Sequence, residues 1–204
     1  MKLLVATTNR GKLAEIAGFL TPLRIDLLSL NEFDHPPTVA EDGDTFEANA
    51  LKKARTLAAF SGVPTLADDS GLEVEALGGA PGVHSARYSG PDADDARNNA
   101  KLLAELAGVP EARRAARFVC VLALIVPGAT DAEHLFRAEC SGRIGLAPRG
   151  TRGFGYDPLF LYPPLGQTFG ELERGTKSRV SHRGLALKQL VEAWPHLDLR
   201  DAPG

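Results

Sequence analysis

The sequence predicts an α/β protein in which helices flank a mixed β-sheet. In the first half, short apolar segments alternate with amphipathic segments, which is typical of parallel strands joined by helices. In the second half, the apolar run Phe118–Val126 is followed by Pro127-Gly128 and then by Glu133–Cys140, which predicts an antiparallel hairpin. The 204 residues, 44% of them hydrophobic and 24% charged, fit a single domain over residues 1–204 that buries its own core.

The N-terminal segment predicts a strand, a polar turn and a helix. Leu3–Ala6 is apolar enough for a buried strand, and it ends in the polar segment Thr7–Lys12. An amphipathic pattern then predicts a helix whose buried face carries Leu13, Ile16, Ala17 and Leu20. Such a turn brings the N-terminus of a helix to the end of a strand, where backbone N–H groups can receive an anion.

A second strand and a long helix follow. Ile25–Leu30 predicts the strand, and Asp44–Ser61 predicts the helix, with Gly62 ending it. Asp44 and Glu47 have the spacing of a capping box.

The middle and the end of the chain supply the remaining elements. Val63–Ala67 predicts a strand that runs into the segment Asp68–Gly71, and the alternation over Leu72–Ala76 predicts a half-exposed strand. Asp94–Leu106 and Ser181–Trp194 predict the last two helices. The glycine-rich segment between the hairpin and the last helix is too irregular for a regular element.

Bulk properties argue against several classes of protein. A net charge of −3 is unlike that of a general nucleic-acid binder, which carries a basic face. Met1–Ala6 is too short for a signal peptide, and no segment approaches the roughly 20 apolar residues that span a bilayer. Cys120 and Cys140 lack metal-ligand spacing and fit a reducing compartment, although one disulfide between them remains open. We therefore expect a cytoplasmic protein that binds neither nucleic acid nor membrane.

Phosphate binding is the first chemistry that the sequence indicates. Thr7, Asn9 and Lys12 place hydroxyl, amide and ammonium donors at the start of the first helix, where they would suit a triphosphate. The segment is not a P-loop, because the Gly-Lys-Ser/Thr ending is absent. The alternative is a simple helix cap, formed by Thr8 or Asn9, followed by a solvated lysine.

Adjacent carboxylates indicate a metal site. Asp68 and Asp69 would repel one another unless a positive charge lay between them, and Mg²⁺ prefers such oxygen ligands. One of the two carboxylates could also accept a proton from an attacking water. The alternative is a turn in which the carboxylates bind backbone amides. Glu41 and Lys53 are further candidates that could equally be solvated charges.

Aromatic and basic residues near the C-terminus indicate a base-binding surface. Gly153-Phe154-Gly155-Tyr156-Asp157-Pro158 fails as a dinucleotide fingerprint, because proline occupies the third glycine position. Its aromatic rings could stack on a flat base, or they could simply pack in the core. Lys177, His182 and Arg183 could donate hydrogen bonds to a purine keto oxygen, or they could be ordinary surface residues.

Read together, these motifs closely resemble the inosine triphosphate pyrophosphatase family, whose members are also called XTP/dITP diphosphatases. The resemblance runs from about Lys2 to Leu190, and the matching blocks are Thr7–Lys12, Thr45-Phe46, Asn49-Ala50, Lys53-Ala54, Ala67–Leu72, Pro81–Tyr88, Gly153–Pro158 and Ser181–Gly184.

The resemblance implies an elongated mixed α/β fold with a central nucleotide cleft, a magnesium-dependent homodimer, and hydrolysis of ITP, dITP and XTP to the monophosphate and pyrophosphate. It implies that Asp69 is the general base and a metal ligand, assisted by Asp68 and Glu41, and that Lys53 also acts at the phosphates. The residues implied to hold the substrate are Thr7, Thr8, Asn9, Arg10, Gly11 and Lys12 at the phosphates, and Ser70, Phe154, Gly155, Tyr156, Asp157, Lys177, His182 and Arg183 around the sugar and base.

One position departs from the family pattern. Many relatives have Glu immediately before the Asn49-Ala50 pair, whereas this chain has Ala48 there and Glu47 one place earlier. Because one residue is about 100° of helical rotation, Glu47 is excluded from the predicted site.

Two rival functions share these residues. A non-catalytic purine nucleotide sensor would keep the same lysines and carboxylates, and a pyrophosphatase for pyrimidine or ordinary nucleotides would keep the phosphate chemistry. Magnesium-dependent pyrophosphate release separates the first rival from the enzyme, and substrate preference separates the second.

Overall fold

The computed structural model describes residues 1–129, 133–197 and 199. Seven strands form one sheet in the order β2-β1-β3-β4-β5-β6-β7. The strands are β1 (Lys2–Val5), β2 (Asp26–Ser29), β3 (Thr65–Val74), β4 (Ala115–Ile125), β5 (Glu133–Ile144), β6 (Phe160–Tyr162) and β7 (Gln167–Thr168). The helices in the described part of the chain are α1 (Arg10–Leu20), α2 (Phe46–Ser61), α3 (Asp95–Glu105), α4 (Arg174–Val180) and α5 (His182–Ala193), with short 3₁₀ turns between elements.

The sheet is mixed, as the alternation of elements predicts. Strand β1 pairs in parallel with β2 and β3, whereas β6 pairs antiparallel with β5 and β7. Parallel pairs need crossover connections, and helices α1 and α2 follow β1 and β2 along the chain. Strands β4 and β5 are neighbours, but residues 130–132 of the predicted hairpin turn lie outside the described residues.

The prediction that the strand ends at Ala67 is wrong, and so is the alternative of a turn at Asp68–Gly71. Strand β3 runs without interruption from Thr65 to Val74, so both carboxylates lie inside a strand. The pairing of β1 with β3 stops at Val5 and Leu66, and the chain of β1 then turns into α1. Asp68 and Asp69 therefore lie beyond the carboxyl end of the neighbouring strand.

Two helix starts also differ from the prediction. The N-cap of α2 is Thr45 rather than Asp44, and its hydroxyl oxygen accepts a hydrogen bond from the N–H of Ala48. Gly62 ends this helix in a left-handed conformation (φ 69°), as predicted. The predicted last helix begins at His182 and is preceded by a separate helix, α4, which ends at Val180 with Ser181 as its C-cap.

The chain forms two compact units, described here separately. The first comprises Met1–Asp69, Cys120–Ala138 and Gly184–Gly204, of which residues 130–132, 198 and 200–204 lie outside the described part. Its core is aliphatic, with the fully buried residues Leu3, Val5, Ile16, Leu66, Leu122, Leu124, Val126, Ala186, Leu187 and Leu190.

The second unit comprises Ser70–Val119 and Glu139–Arg183. Its core is more aromatic and contains Phe118, Tyr156, Phe160 and Phe169 together with Leu72, Leu102, Leu106 and Leu159. Cys120 belongs to the first unit and Cys140 to the second, and both are buried free thiols. The single domain over residues 1–204 stays a prediction. No helix within the described ranges is long and apolar enough to cross a bilayer.

Candidate functional site

The turn after β1 forms a helix N-terminus that faces solvent. Asn9 caps α1 through its side-chain oxygen, which accepts from the N–H of Lys12 at 3.0 Å. Thr7 braces the cap, because its hydroxyl accepts from the N–H of Asn9 at 3.1 Å. Thr8, Asn9 and Arg10 are exposed, and Gly11 is partly exposed. The predicted phosphate segment is therefore both a helix cap and an accessible row of donors.

Lys12 is not the solvated lysine of the alternative interpretation. Its ammonium nitrogen lies 2.5 Å from Oδ1 of Asp68, whose side chain has no exposed surface. The other oxygen of Asp68 accepts from the Cys120 thiol of β4 at 3.5 Å. Because a buried carboxylate is costly unless it is paired, Lys12 supplies the charge that allows Asp68 to lie there.

Lys53 is held at the same place from α2. Its ammonium group forms an ion pair with Glu41 and donates to the backbone oxygen of Asp68 at 3.2 Å. Only 14% of the Lys53 side chain is exposed. One turn earlier, Asn49 is buried and accepts from the N–H of Gly43 at 2.8 Å, which ties the segment after Glu41 to the helix. The structure thus brings Glu41, Lys53 and Asp68 together.

Asp69 has an unusual environment. The pKa of its carboxyl group is raised from 3.8 to about 6, first by burial and then by the nearby charge of Glu41, against the opposing effects of Lys12 and Lys53. One of its oxygens, Oδ2, is buried and has no hydrogen-bond partner. An orphaned carboxylate oxygen beside a second carboxylate is stabilised by any cation or proton that reaches it.

The residues around Asp69 fit a divalent cation only in part. Asp69 and Glu41 offer carboxylate oxygens close enough for the charge of one to affect the other, and hard cations prefer such oxygen donors. Asp68, however, is already engaged by Lys12 and Cys120. Within the described ranges no group of three or more histidine, cysteine, aspartate or glutamate side chains has metal-binding geometry. A cation would therefore need oxygens from a ligand as well as from these two acids.

In the second unit, Asp157 and Lys177 form a buried ion pair. Their charged atoms lie 2.6 Å apart, with 3% and 8% of the side chains exposed. The same carboxylate oxygen accepts from the N–H of Phe154 at 2.8 Å. Gly153, with φ 78°, leaves the space that this carboxylate fills, since an added Cβ would overlap it.

Two cationic side chains of this unit lie over the ring of Phe154. The ring centroid lies 4.9 Å from the Lys177 nitrogen and 5.5 Å from the guanidinium carbon of Arg183. Arg183 also donates to the hydroxyl of Ser70 at 3.2 Å. Four residues predicted to surround the sugar and base therefore lie in contact with one another.

Other residues predicted for the base site are buried. His182 stacks on Phe118 with ring centroids 4.6 Å apart, and both His182 and Arg183 are almost wholly buried. The alternative of a surface His-Arg pair is therefore wrong. Tyr156 lies in the core and donates to the backbone oxygen of Ser85 at 2.8 Å, so its ring packs internally, whereas Phe154 is partly exposed.

Several supporting residues are absent from the sequence prediction. Cys120, Ser85, Asp95 and Asn99 contact predicted site residues, but each comes from a segment that looks structural by itself. Of these segments, only the polar start of α3, Asp-Asp-Ala-Arg-Asn-Asn, has a pattern that could indicate a site, and this pattern is equally typical of a helix cap.

Together these features define an α/β protein with a cluster of acids and lysines in one unit and an aromatic ring beside two cationic side chains in the other. The chain belongs to the Ham1 family, whose model matches residues 3–193.

Named relatives share most of its length. It is 56% identical to a dITP/XTP pyrophosphatase of Syntrophobacter fumaroxidans over 98% of this chain and 87% of that protein. It is 55% identical to the dITP/XTP pyrophosphatase of Geobacter sulfurreducens over 94% of this chain and 95% of the relative. Among solved structures it is similar to a HAM1 protein from Coxiella burnetii, with a TM-score of 0.88, 41% identity, and coverage of 97% of this chain and 100% of the other.

Proposed function

We propose that this chain is a nucleoside triphosphate pyrophosphatase that hydrolyses non-standard purine nucleotides to the monophosphate and pyrophosphate. Relatives at 46–56% identity carry the name dITP/XTP pyrophosphatase, which supports dITP and XTP as substrates, and ITP carries the same keto base. The observation that carries the proposal is the buried Asp69 carboxylate, which has one oxygen without a partner beside Glu41 and the charges of two lysines.

Asp69 acts on the attacking water in this proposal. A carboxylate with a pKa near 6 is mostly ionised at neutral pH and still basic enough to accept a proton. The water oxygen bonds to the α-phosphorus, its proton passes to Asp69, and the bond to the bridging oxygen breaks, so pyrophosphate leaves with the electron pair. The adjacent Glu41 keeps the proton affinity of Asp69 high.

Lys12 and Lys53 neutralise the triphosphate. Each ammonium has three donors, so contact with Asp68 leaves others for phosphate oxygens, and both lysines stabilise charge that grows on the leaving group. The donors of Thr7, Thr8, Asn9, Arg10 and Gly11 bind the outer phosphates at the start of α1.

Asp69 and Glu41 would hold a divalent cation together with substrate phosphate oxygens, and Mg²⁺ is the expected ion. Such an ion polarises the phosphates and neutralises their charge. Asp68 acts mainly by holding Lys12, because its two oxygens are already engaged. This division of roles refines the prediction that all three acids are ligands.

Residues of the second unit read the base. Phe154 stacks on the purine ring, while Arg183 and His182 donate to its keto oxygen. Adenine presents an amino group there, which cannot accept these hydrogen bonds, and this difference penalises ATP. The cytoplasmic location and the homodimer stay predictions.

The test is pyrophosphate release from ITP, dITP, XTP, ATP, GTP and dTTP, with magnesium and with chelator. Fast, metal-dependent release from the first three alone supports the proposal. Equal turnover of all six contradicts the base-reading role, and no turnover with tight ITP binding favours the nucleotide sensor.

A further inference from the structure

Helix α3 forms two hydrogen bonds to the loop that carries Phe154, both to the single residue Gly155. The N–H of Gly155 donates to the Asp95 carboxylate at 2.6 Å, and the C=O of Gly155 accepts from the Asn99 amide at 2.9 Å. Residues four apart on a helix lie on the same face, so Asp95 and Asn99 hold both polar groups of Gly155 from one side.

The other side of the loop is held by Asp157. Its carboxylate accepts from the N–H of Phe154, and its own N–H donates to the C=O of Phe154 at 3.3 Å. Every backbone polar group of Phe154 and Gly155 is therefore bonded, in a segment without regular secondary structure. Because its backbone is held, the partly exposed Phe154 ring can move only about its side-chain torsions. The conformational entropy of ordering the loop is therefore already lost before a ligand binds.

Asn99 is not the residue that stability alone would select. It lies inside α3, where Ala is the better helix former. Its Oδ1 atom is buried without a hydrogen-bond partner, which costs free energy. Its side-chain amide donates to the C=O of Gly155.

We infer that Asp95 and Asn99 are positioning residues that set Phe154 as a stacking surface for the purine base. This inference rests on the proposed function, because it assigns the base to Phe154. Neither side chain touches the substrate, so both act through the Gly155 peptide, and their loss affects base binding while leaving phosphate binding intact.

The experiment compares calorimetric binding of IMP and of inorganic pyrophosphate, both with magnesium, to the wild type and to Asn99→Ala. Losing one hydrogen bond to a loop should weaken IMP binding by roughly fivefold, with pyrophosphate affinity unchanged and the melting temperature equal or higher. Arg97→Ala is the matched control, because its ion pair stays within the first turn of α3. The control should leave both affinities unchanged.

Asp95 provides a second arm. Asp95→Asn retains an oxygen acceptor for the Gly155 N–H and should bind IMP as tightly as the wild type. Asp95→Ala removes the acceptor and should weaken IMP binding as much as Asn99→Ala does. Equal weakening of IMP and pyrophosphate would indicate general loosening and overturn the inference, as would unchanged IMP affinity in Asn99→Ala. Failure of the wild type to hydrolyse ITP would instead overturn the proposed function.

Discussion

The Lys12 ammonium nitrogen lies 2.5 Å from Oδ1 of Asp68, although 56 residues separate the two in the chain. The aspartate side chain is fully buried in β3, and the lysine reaches it from the first turn of α1. This pair joins the first turn of α1 to β3. Replacing either side chain therefore changes the surroundings of the other.

Lys12→Ala should lower kcat/KM for ITP by about a hundredfold or more, because a cation at the phosphates is lost. It should also lower the melting temperature, since Asp68 then lies buried without its partner. Lys52→Ala is the control: Lys52 pairs with Asp42 at the exposed surface, and its loss should change neither value appreciably. An unchanged kcat/KM in Lys12→Ala would remove that lysine from the phosphate site.

Asp69→Asn should abolish turnover while the protein stays folded. Removing a general base costs roughly 10²–10⁴-fold in rate, and the amide retains the shape of the carboxylate. Steady-state pyrophosphate release measures the loss, and circular dichroism checks the fold. Activity within a few fold of wild type would exclude Asp69 as the base.

The same variant should be more stable than wild type at neutral pH in chelator. The folded state raises the pKa of Asp69 from 3.8 to about 6, so in that interval folded protein holds a proton that unfolded protein has released. Stability from this group is present below pH 4 and is lost as the pH rises through 6. The free energy of unfolding of Asp69→Asn, relative to that of the wild type, should thus increase as the pH rises between these two values, by on the order of 2–3 kcal/mol.

Urea unfolding at pH 4 and pH 7 measures this difference. Asp42→Asn is the control, because its bond to Lys52 lowers the pKa of Asp42 and gives an effect of opposite sign. A constant gain at both pH values would mean that Asp69 titrates normally.

Lys177→Ala should destabilise the protein by about 3–5 kcal/mol, because the buried Asp157 carboxylate loses the lysine countercharge. Arg152→Ala breaks an exposed pair with Glu173 and should cost less than about 1 kcal/mol. Denaturant unfolding at neutral pH compares the two variants. Equal costs would show that Asp157 is hydrated in solution.

Much of the fold can be predicted from the sequence because the patterns that predict it are local. The apolar runs that became β1 and β4, the glycine that ends α2 and the leucines of α3 each depend on periodicity or backbone conformation within a few residues. Predictions failed where a distant strand decided the outcome. Strand β3 continues through Asp68 although its pairing with β1 stops at Leu66, so β4 is the strand that lies beside this part of β3, and no local pattern distinguishes that from a turn.

The same division holds for the site. The sequence by itself determined the chemical inventory: adjacent acids, a lysine at the start of α1 and another within α2, an aromatic ring between glycines and a basic pair at the start of the last helix. Only the tertiary structure decided which of these meet, that Tyr156 packs inside while Phe154 stays partly exposed, and that one Asp69 oxygen has no partner. Burial and pairing are set by residues far apart in the chain, and these two properties fix the charge and proton affinity on which the chemistry depends.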